Sequence, residues 1–362
     1  MEDTKPQLLK VTVDGIEVDV EPGTTILQAA RKIGGEVAPP AMCYYAPLKG
    51  SGGKCRACLV RVAAGSAKDP RPMPKLVASC ITPVQDGMVV ENTTSPQVLE
   101  ARKGVVEFLL LNHPLDCPVC DQAGECDLQN FAFDHGSANT RYEEERRTFD
   151  KHDLGPYIQL HMTRCILCYR CVYTADQLTN KRVHGVLGRG DAAEIGTYIE
   201  KAIDNDFSGN VIDVCPVGAL TDKTYRFKNR VWFTKPVDAH RNCETCSGNV
   251  TLWYRGDEVI RVTARKNEWN EVTEFICNTC RFEKKKTSDW VIEGPTKIAR
   301  SSVISANKYR ADLKNPDFGL KLAAANYTEV ADERDTSQLG IQPLPAERFA
   351  KTLPSALDPE PR

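Results

Sequence analysis

Long hydrophobic runs are missing from this 362-residue sequence, which nowhere approaches the roughly 18 consecutive apolar residues that a membrane span needs. An excess of one charge is missing too. Lys and Arg number 47 against 49 Asp and Glu, and the formal net charge of -2 leaves no electrostatic footprint for nucleic acid. The N-terminal Met-Glu-Asp-Thr-Lys lacks the basic and apolar segments of a secretory signal, so nothing marks the chain for export. No Gly-x-Gly-x-x-Gly follows a strand, and a dinucleotide would therefore bind elsewhere. The remaining composition, 41% hydrophobic and 27% charged, is ordinary for a soluble globular chain of two or three domains.

Cysteine is abundant, with 15 in the chain. In a reducing compartment such clusters favour metal binding or catalysis over a disulfide framework. They sort into Cys43, Cys55, Cys58 and Cys80; Cys117, Cys120 and Cys126; Cys165, Cys168, Cys171 and Cys215; and Cys243, Cys246, Cys277 and Cys280. No cysteine is left over. Only the second group lacks a fourth ligand, and His113 stands four positions before Cys117.

Residues 8–20 alternate apolar and polar around Asp14-Gly15, which predicts a hairpin. Thr24 is the expected N-cap of a helix carrying Ile26, Ala30 and Ile33, stopped by Gly34-Gly35. Short strands are expected at Cys58–Val62 and Met88–Glu91, giving a small mixed sheet with one helix across it. Ser95-Pro96 opens a second helix whose apolar face, Val98, Leu99, Val105, Val106, Leu109 and Leu110, runs up to His113. Residues 141–153 mix both charge signs without an apolar period and read as a solvated connector. Alternation from Val250 to Val262 around Arg255-Gly256-Asp257 predicts another hairpin. Beyond about Gly294 the chain turns polar and proline-rich and reads as an extended tail.

The first cysteine group is spaced Cys-x11-Cys-x2-Cys-x21-Cys, three thiols in a loop and one remote. That is a longer version of the plant-type ferredoxin spacing for a 2Fe-2S cluster. Gly50, Gly52 and Gly53 flank the loop, where backbone amides would reach the sulfurs. Zinc is the alternative, but its usual paired knuckles fit this spacing poorly. The second group, His113-x3-Cys117-x2-Cys120-x5-Cys126, suits a 4Fe-4S cluster or zinc. A neutral imidazole in place of a thiolate should raise a cluster's potential. In the third group the Cys-x2-Cys-x2-Cys triplet joins a distant Cys215-Pro216, the economical ligand set for one 4Fe-4S cluster. The fourth, two Cys-x2-Cys knuckles separated by a hairpin, fits either 4Fe-4S or a zinc ribbon.

The first three sets, in this order, closely resemble the N-terminal half of the large iron-sulfur subunit of respiratory complex I, the NADH:quinone oxidoreductase. The match covers about residues 8–235, and the 113–126 segment His-Pro-Leu-Asp-Cys-Pro-Val-Cys-Asp-Gln-Ala-Gly-Glu-Cys is its most specific element. The resemblance implies an α+β chain. Its expected parts are a β-grasp 2Fe-2S ferredoxin-type domain (1–95) and a helical 4Fe-4S segment with one histidine and three cysteine ligands (96–136). A 4Fe-4S ferredoxin-like domain (137–235), a small β-rich four-cysteine domain (236–294) and the tail (295–362) would follow. The resemblance also implies a 2Fe-2S cluster on Cys43, Cys55, Cys58 and Cys80. Two 4Fe-4S clusters would then lie on His113, Cys117, Cys120 and Cys126 and on Cys165, Cys168, Cys171 and Cys215.

Residues 236–294 look like the iron-sulfur domain that opens molybdopterin oxidoreductases, which usually has Cys-x2-Cys-x3-Cys. Here Val250 occupies the third ligand position, so Cys243, Cys246, Cys277 and Cys280 are left with a third 4Fe-4S cluster, zinc, or a vestigial role. The large molybdopterin-enzyme-like domain expected downstream in the family is absent, which reads as a short form. By resemblance the chain is an electron relay with no NADH or quinone site of its own. Its partners would be a flavin- and NADH-binding subunit and ferredoxin-like iron-sulfur subunits, in a hetero-oligomer peripheral on the cytoplasmic face of the bacterial inner membrane.

Three alternatives remain for comparison. The same three sets occur in the diaphorase subunit of soluble NAD-reducing hydrogenases or formate dehydrogenases. An iron-only hydrogenase needs further cysteines, and none follows Cys280. A zinc-binding interaction module would contain no acid-labile sulfide.

Overall fold

The computed structural model describes residues 7–149, 154–179, 184–197, 203 and 205–295. The expected tail, apart from Pro295, and the end of the expected connector at 150–153 lie outside the described residues.

The N-terminal hairpin forms where alternation places it. β1 (Leu9–Val13) and β2 (Ile16–Val20) pair antiparallel with Val13 opposite Ile16, and Asp14 (φ +48°) and Gly15 (φ +84°) make the tight left-handed turn. α1 (Ile26–Ile33) follows, but Thr25 caps it rather than the expected Thr24. The reason is reciprocal: Gln28 N donates to Thr25 Oγ1 at 3.3 Å while the Gln28 side chain accepts from Thr25 N at 2.9 Å. A cap at Thr24 would place Leu27 in the answering position, where no such bond exists.

β3 (Leu59–Ala64), β4 (Val77–Ala78) and β5 (Met88–Glu91) complete a five-stranded sheet in the order β2-β1-β5-β3-β4, with β1 and β5 parallel. Its core packs Val11, Val13, Val60, Val62, Met88 and Val90 against Ile26, Ala29 and Ala30 of α1. Each large aliphatic side chain buried this way contributes about 1.5–3 kcal/mol.

α2 (Pro96–Leu110) begins at Ser95-Pro96 as expected. Its inward face differs from the apolar expectation: Val98 and Val106 are buried, yet Leu99 is 41% exposed, and Arg102 takes the buried position between them. Arg102 Nη2 donates to the Leu59 carbonyl and to the Asn92 side chain. A charged residue bonded internally in this way escapes an apolar-periodicity search.

α3 (Asp127–His135), β6 (Ile158–Leu160), α4 (Arg170–Thr179), β7 (His184–Leu187), β8 (Glu194–Thr197), α5 (Asn210–Val214) and β9 (Leu220–Asp222) are short elements threaded among the cysteines, with β6 paired to β9 and β7 to β8. The expected solvated connector is only partly so. Residues 143–145 are exposed, but Arg141 pairs with Glu107 on α2 at 2.6 Å, and Arg147 N donates to Asn112 at 2.8 Å. One charged side chain and one backbone amide of this segment thus tie it to α2 and the residues just after it.

The last sheet runs β12-β11-β10-β13, from β10 (Lys235–His240), β11 (Val250–Arg255), β12 (Glu258–Ala264) and β13 (Val291–Pro295). It does not stand apart from the N-terminal region. Arg31 pairs with Glu271 at 2.8 Å, and Val272 N donates to the Tyr45 hydroxyl at 2.6 Å.

Candidate metal centres

Cys43, Cys55, Cys58 and Cys80 are all buried, on the loop between α1 and β3 and just after β4. Their thiols meet in contacts rather than as one tight tetrad: Cys43 with Cys55 and Cys80, and Cys58 with Cys80. These contacts hold the Cys43 and Cys58 thiols below the usual range and push Cys55 and Cys80 above it. Backbone amides converge on the sulfurs. Lys54 N and Cys55 N each donate to Cys43 Sγ at 3.3 Å, and Gly53 N donates to Cys80 Sγ at 3.2 Å. Gly52 (φ +107°) makes this approach possible, since a Cβ there would stand 3.3 Å from Cys80 Sγ and 3.2 Å from Ile81. Four buried thiols, with backbone amides donating to Cys43 and Cys80, are a donor set that fits an anionic iron-sulfur cluster.

In the second set, His113 sits just past α2, its N–H donating to Leu110 O at 3.2 Å and its carbonyl accepting from Arg146 at 2.5 Å. Burial, assisted by Arg164, lowers its pKa to about 4, which leaves the imidazole neutral and able to ligate at pH 7. Cys117 is exposed, whereas Cys120 and Cys126 are buried. Burial raises the Cys120 and Cys126 thiols, and Arg164 opposes that rise at Cys120. Arg164 thus lies close to both His113 and Cys120, and Asp116 anchors it at 2.7 Å.

In the third set the triplet loop turns through two non-glycine residues of positive φ, Leu167 (+50°) and Tyr169 (+64°). Such backbone is costly and persists where surrounding structure fixes it. Cys165, Cys168 and Cys171 lie near enough to one another and to Cys215 for their charges to interact. Burial pushes all four thiols up, Cys168 to about 12, and mutual repulsion adds to the rise at Cys165, Cys168 and Cys171. Four such thiols ionise together only when multivalent cationic charge is supplied among them, as iron supplies it.

One apolar core takes in members of each of the first three sets: Cys43 and Cys55, Cys126, and Cys168, Cys171 and Cys215. Cys58 and Cys80 pack in a separate cluster with Leu27, Tyr44 and Ala78. Arg170, 4% exposed, joins the first set to the third by donating to Tyr44 O at 2.6 Å and Ala41 O at 3.1 Å. Pro216, next to Cys215, joins the third to the second by accepting from Asp127 N at 3.0 Å. A Cβ on Gly218 would stand 2.1 Å from Cys120 Sγ.

The fourth set belongs to a different core, with Val250, Leu252, Val262 and Trp290. All four ligand atoms of Cys243, Cys246, Cys277 and Cys280 lie within 4.8 Å of one another. The structure therefore gathers the fourth set most tightly.

The domain families that match are the 2Fe-2S iron-sulfur cluster binding domain over residues 7–95, the NADH-ubiquinone oxidoreductase-G iron-sulfur binding region over 102–141, and the NADH-quinone oxidoreductase subunit 3 ferredoxin-like domain over 155–221. The chain is 45% identical over 337 residues to the G subunit of the NADH-quinone oxidoreductase of Rickettsia bellii, covering 92% of this chain and 46% of that one. It belongs to the family of NADH-quinone oxidoreductase G subunits. A second member, the mitochondrial 78 kDa subunit of the NADH-ubiquinone oxidoreductase of Neurospora crassa, is 43% identical over 288 residues, 77% of this chain and 37% of the relative. The chain thus spans less than half the length of these G-subunit relatives. Among solved structures, a chain of an NAD+-reducing [NiFe]-hydrogenase in the H2-reduced state aligns with a TM-score of 0.53 at 27% identity, covering 62% of this chain and 91% of that one. Mixed α/β structure with 2Fe-2S and 4Fe-4S binding regions is therefore common ground with the G-subunit family. No helix among the described residues is long and apolar enough to cross a membrane.

Sequence reasoning singled out the ligand candidates but missed Arg164, Arg170 and Gly218, which position them. Their positions carry a signal in hindsight: Arg164 and Arg170 lie beside Cys165 and Cys171, and Gly218 lies three residues after Cys215.

Proposed function

We propose that the chain is an electron relay of an NADH:quinone oxidoreductase, with one 2Fe-2S cluster on Cys43, Cys55, Cys58 and Cys80. One 4Fe-4S cluster would be held by His113, Cys117, Cys120 and Cys126, and another by Cys165, Cys168, Cys171 and Cys215. The observation that carries this reading is the core that takes in members of all three sets, bridged by Arg170 on one side and Pro216 on the other. Iron-sulfur clusters supply reversible one-electron transfer when bound. The chain's own residues bury most of the sulfurs, leaving Cys117 exposed, aim amides at Cys43 and Cys80, and hold His113 neutral. In this arrangement the third set lies between the first and the second. The partners we propose are a flavin- and NADH-binding subunit and ferredoxin-like subunits, placing the chain peripherally on the cytoplasmic face of a bacterial membrane.

The hydrogenase resemblance offers a second reading, a diaphorase subunit, because the match covers 91% of that chain. The higher identity to the G-subunit relatives, 45% against 27%, favours the quinone-linked assembly.

The test is anaerobic addition of NADH to the assembled complex, followed by low-temperature EPR. Iron signals that appear with NADH and diminish when quinone is added are expected. Signals that respond to dithionite but stay silent with NADH would overturn the relay.

A further inference from the structure

We infer that Cys243, Cys246, Cys277 and Cys280 hold one tetrahedral zinc ion, not a third iron-sulfur cubane. A zinc-sulfur bond of about 2.3 Å in tetrahedral geometry separates neighbouring sulfurs by about 3.8 Å. The observed separations are 3.7 Å for Cys243–Cys277, 3.6 Å for Cys246–Cys277 and 3.8 Å for Cys246–Cys280. A cubane gives each thiolate its own iron, so its four thiolates stand outside a four-metal body and cannot all lie at the corners of a single-ion tetrahedron. Among the described residues this is the one group of potential metal ligands gathered within 4.8 Å.

The local backbone agrees with that geometry. Each pair is a Cys-x2-Cys knuckle, one on the turn between β10 and β11 and the other after β12. Amides of Thr245 and Cys246 bond the Cys243 sulfur, and Cys280 N donates to Cys277 Sγ at 3.5 Å. Arg241 offsets thiolate charge by donating to Cys280 Sγ at 3.7 Å. Val250, where a cubane-type Cys-x2-Cys-x3-Cys pattern would put its third thiol, is instead a fully buried core residue of β11 paired with Ala264.

Zinc is favoured over a single ferrous ion because four thiolates without an open position form a structural site, and divalent affinity rises from iron to zinc. Cys277 and Cys280 are 1% and 0% exposed, which closes the inner side of that site. The ion would clamp the β10–β11 turn to the segment after β12. It would take no part in redox chemistry, so the electron path and this clamp are separate.

The experiment is elemental analysis of the intact chain together with X-ray absorption at the zinc edge. We expect one zinc per chain, a shell of four sulfurs near 2.3 Å, and about 10 irons from one 2Fe-2S and two 4Fe-4S clusters. Cys277→Ser should lose the zinc or replace one sulfur in its shell, with iron and EPR signals unchanged. About 14 irons without zinc, an eleventh iron in place of zinc, four free thiols without any metal, or a zinc shell of nitrogen and oxygen would each overturn the inference. The wild-type spectrum decides even if the serine variant fails to fold. Iron reduction by NADH reads the relay independently, so either result can fail without the other.

Discussion

A methyl group at Gly218 would stand 2.1 Å from Cys120 Sγ, 3.2 Å from Gln122 Cβ and 3.8 Å from Arg164 Cδ. The sulfur is the closest of these, and it is buried with little room to retreat. Gly218→Ala is therefore expected to displace Cys120 and empty the second set selectively, lowering iron by about four per chain. Gly185→Ala, on β7 with nothing within 4 Å of the new Cβ, should leave iron unchanged. Iron and sulfide assays of the two variants check this, and equal iron in both would remove Gly218 from any role at the site. The ligand candidates themselves were legible because thiols at fixed spacing have few other uses in a reducing compartment. Gly218 was not legible, because its importance depends on a sulfur 98 positions away in the sequence.

Elements were legible where one residue period ran long enough to show. The two hairpins, α1 and α2 each carry five or more residues of pattern, and each formed within a residue or two of expectation. β4 has two residues and α5 has five, too short for any period, and both depend on tertiary partners. The β1–β2 turn illustrates how such partners act. Asp14 accepts from Asn92 N at 2.6 Å, Thr93 N at 2.9 Å and Thr94 Oγ1 at 2.7 Å, tying the hairpin to the link between β5 and α2. Partial burial alone would raise its pKa, but the bonds from Asn92 and Thr93 outweigh burial and hold it below the ordinary 3.8. A depressed carboxylate contributes stability above its unfolded value and loses it as pH falls through the folded one. Asp14→Asn keeps a residue that tolerates left-handed backbone while removing the charge, and should destabilise by about 1 kcal/mol at pH 7 after allowance for solvent screening. Urea unfolding should show that gap narrowing below pH 3.8. A gap independent of pH would mean the charge is not what holds the turn.

At the scale of the whole molecule, spacing sorted the cysteines and His113 into candidate sets but did not show which sets are neighbours. That information resides in the long-range bonds of Arg170 and Pro216 and the close approach of Gly218, whose distant partners no spacing reveals even though each stands near a cysteine in the sequence. Arg170 is the most informative because it is a buried cation between two sets. Its bonds to Ala41 O and Tyr44 O hold the loop that carries Cys43, and it lowers the thiol pKa of both Cys168 and Cys215 against the effect of burial. A positive charge fixed there favours the more negative, reduced form of any cluster beside it. Arg170→Gln should therefore lower the midpoint potential of the third-set cluster most, that of the first set less, and that of the second set least. Arg170→Lys restores a charge but not the planar fork, so it should recover much of the potential even where it recovers less of the stability. EPR-monitored redox titration of the two variants separates these roles. A purely structural arginine would reduce the yield of assembled clusters in both variants without moving any midpoint, whereas an electrostatic one moves the midpoint in the glutamine variant and largely spares it in the lysine variant.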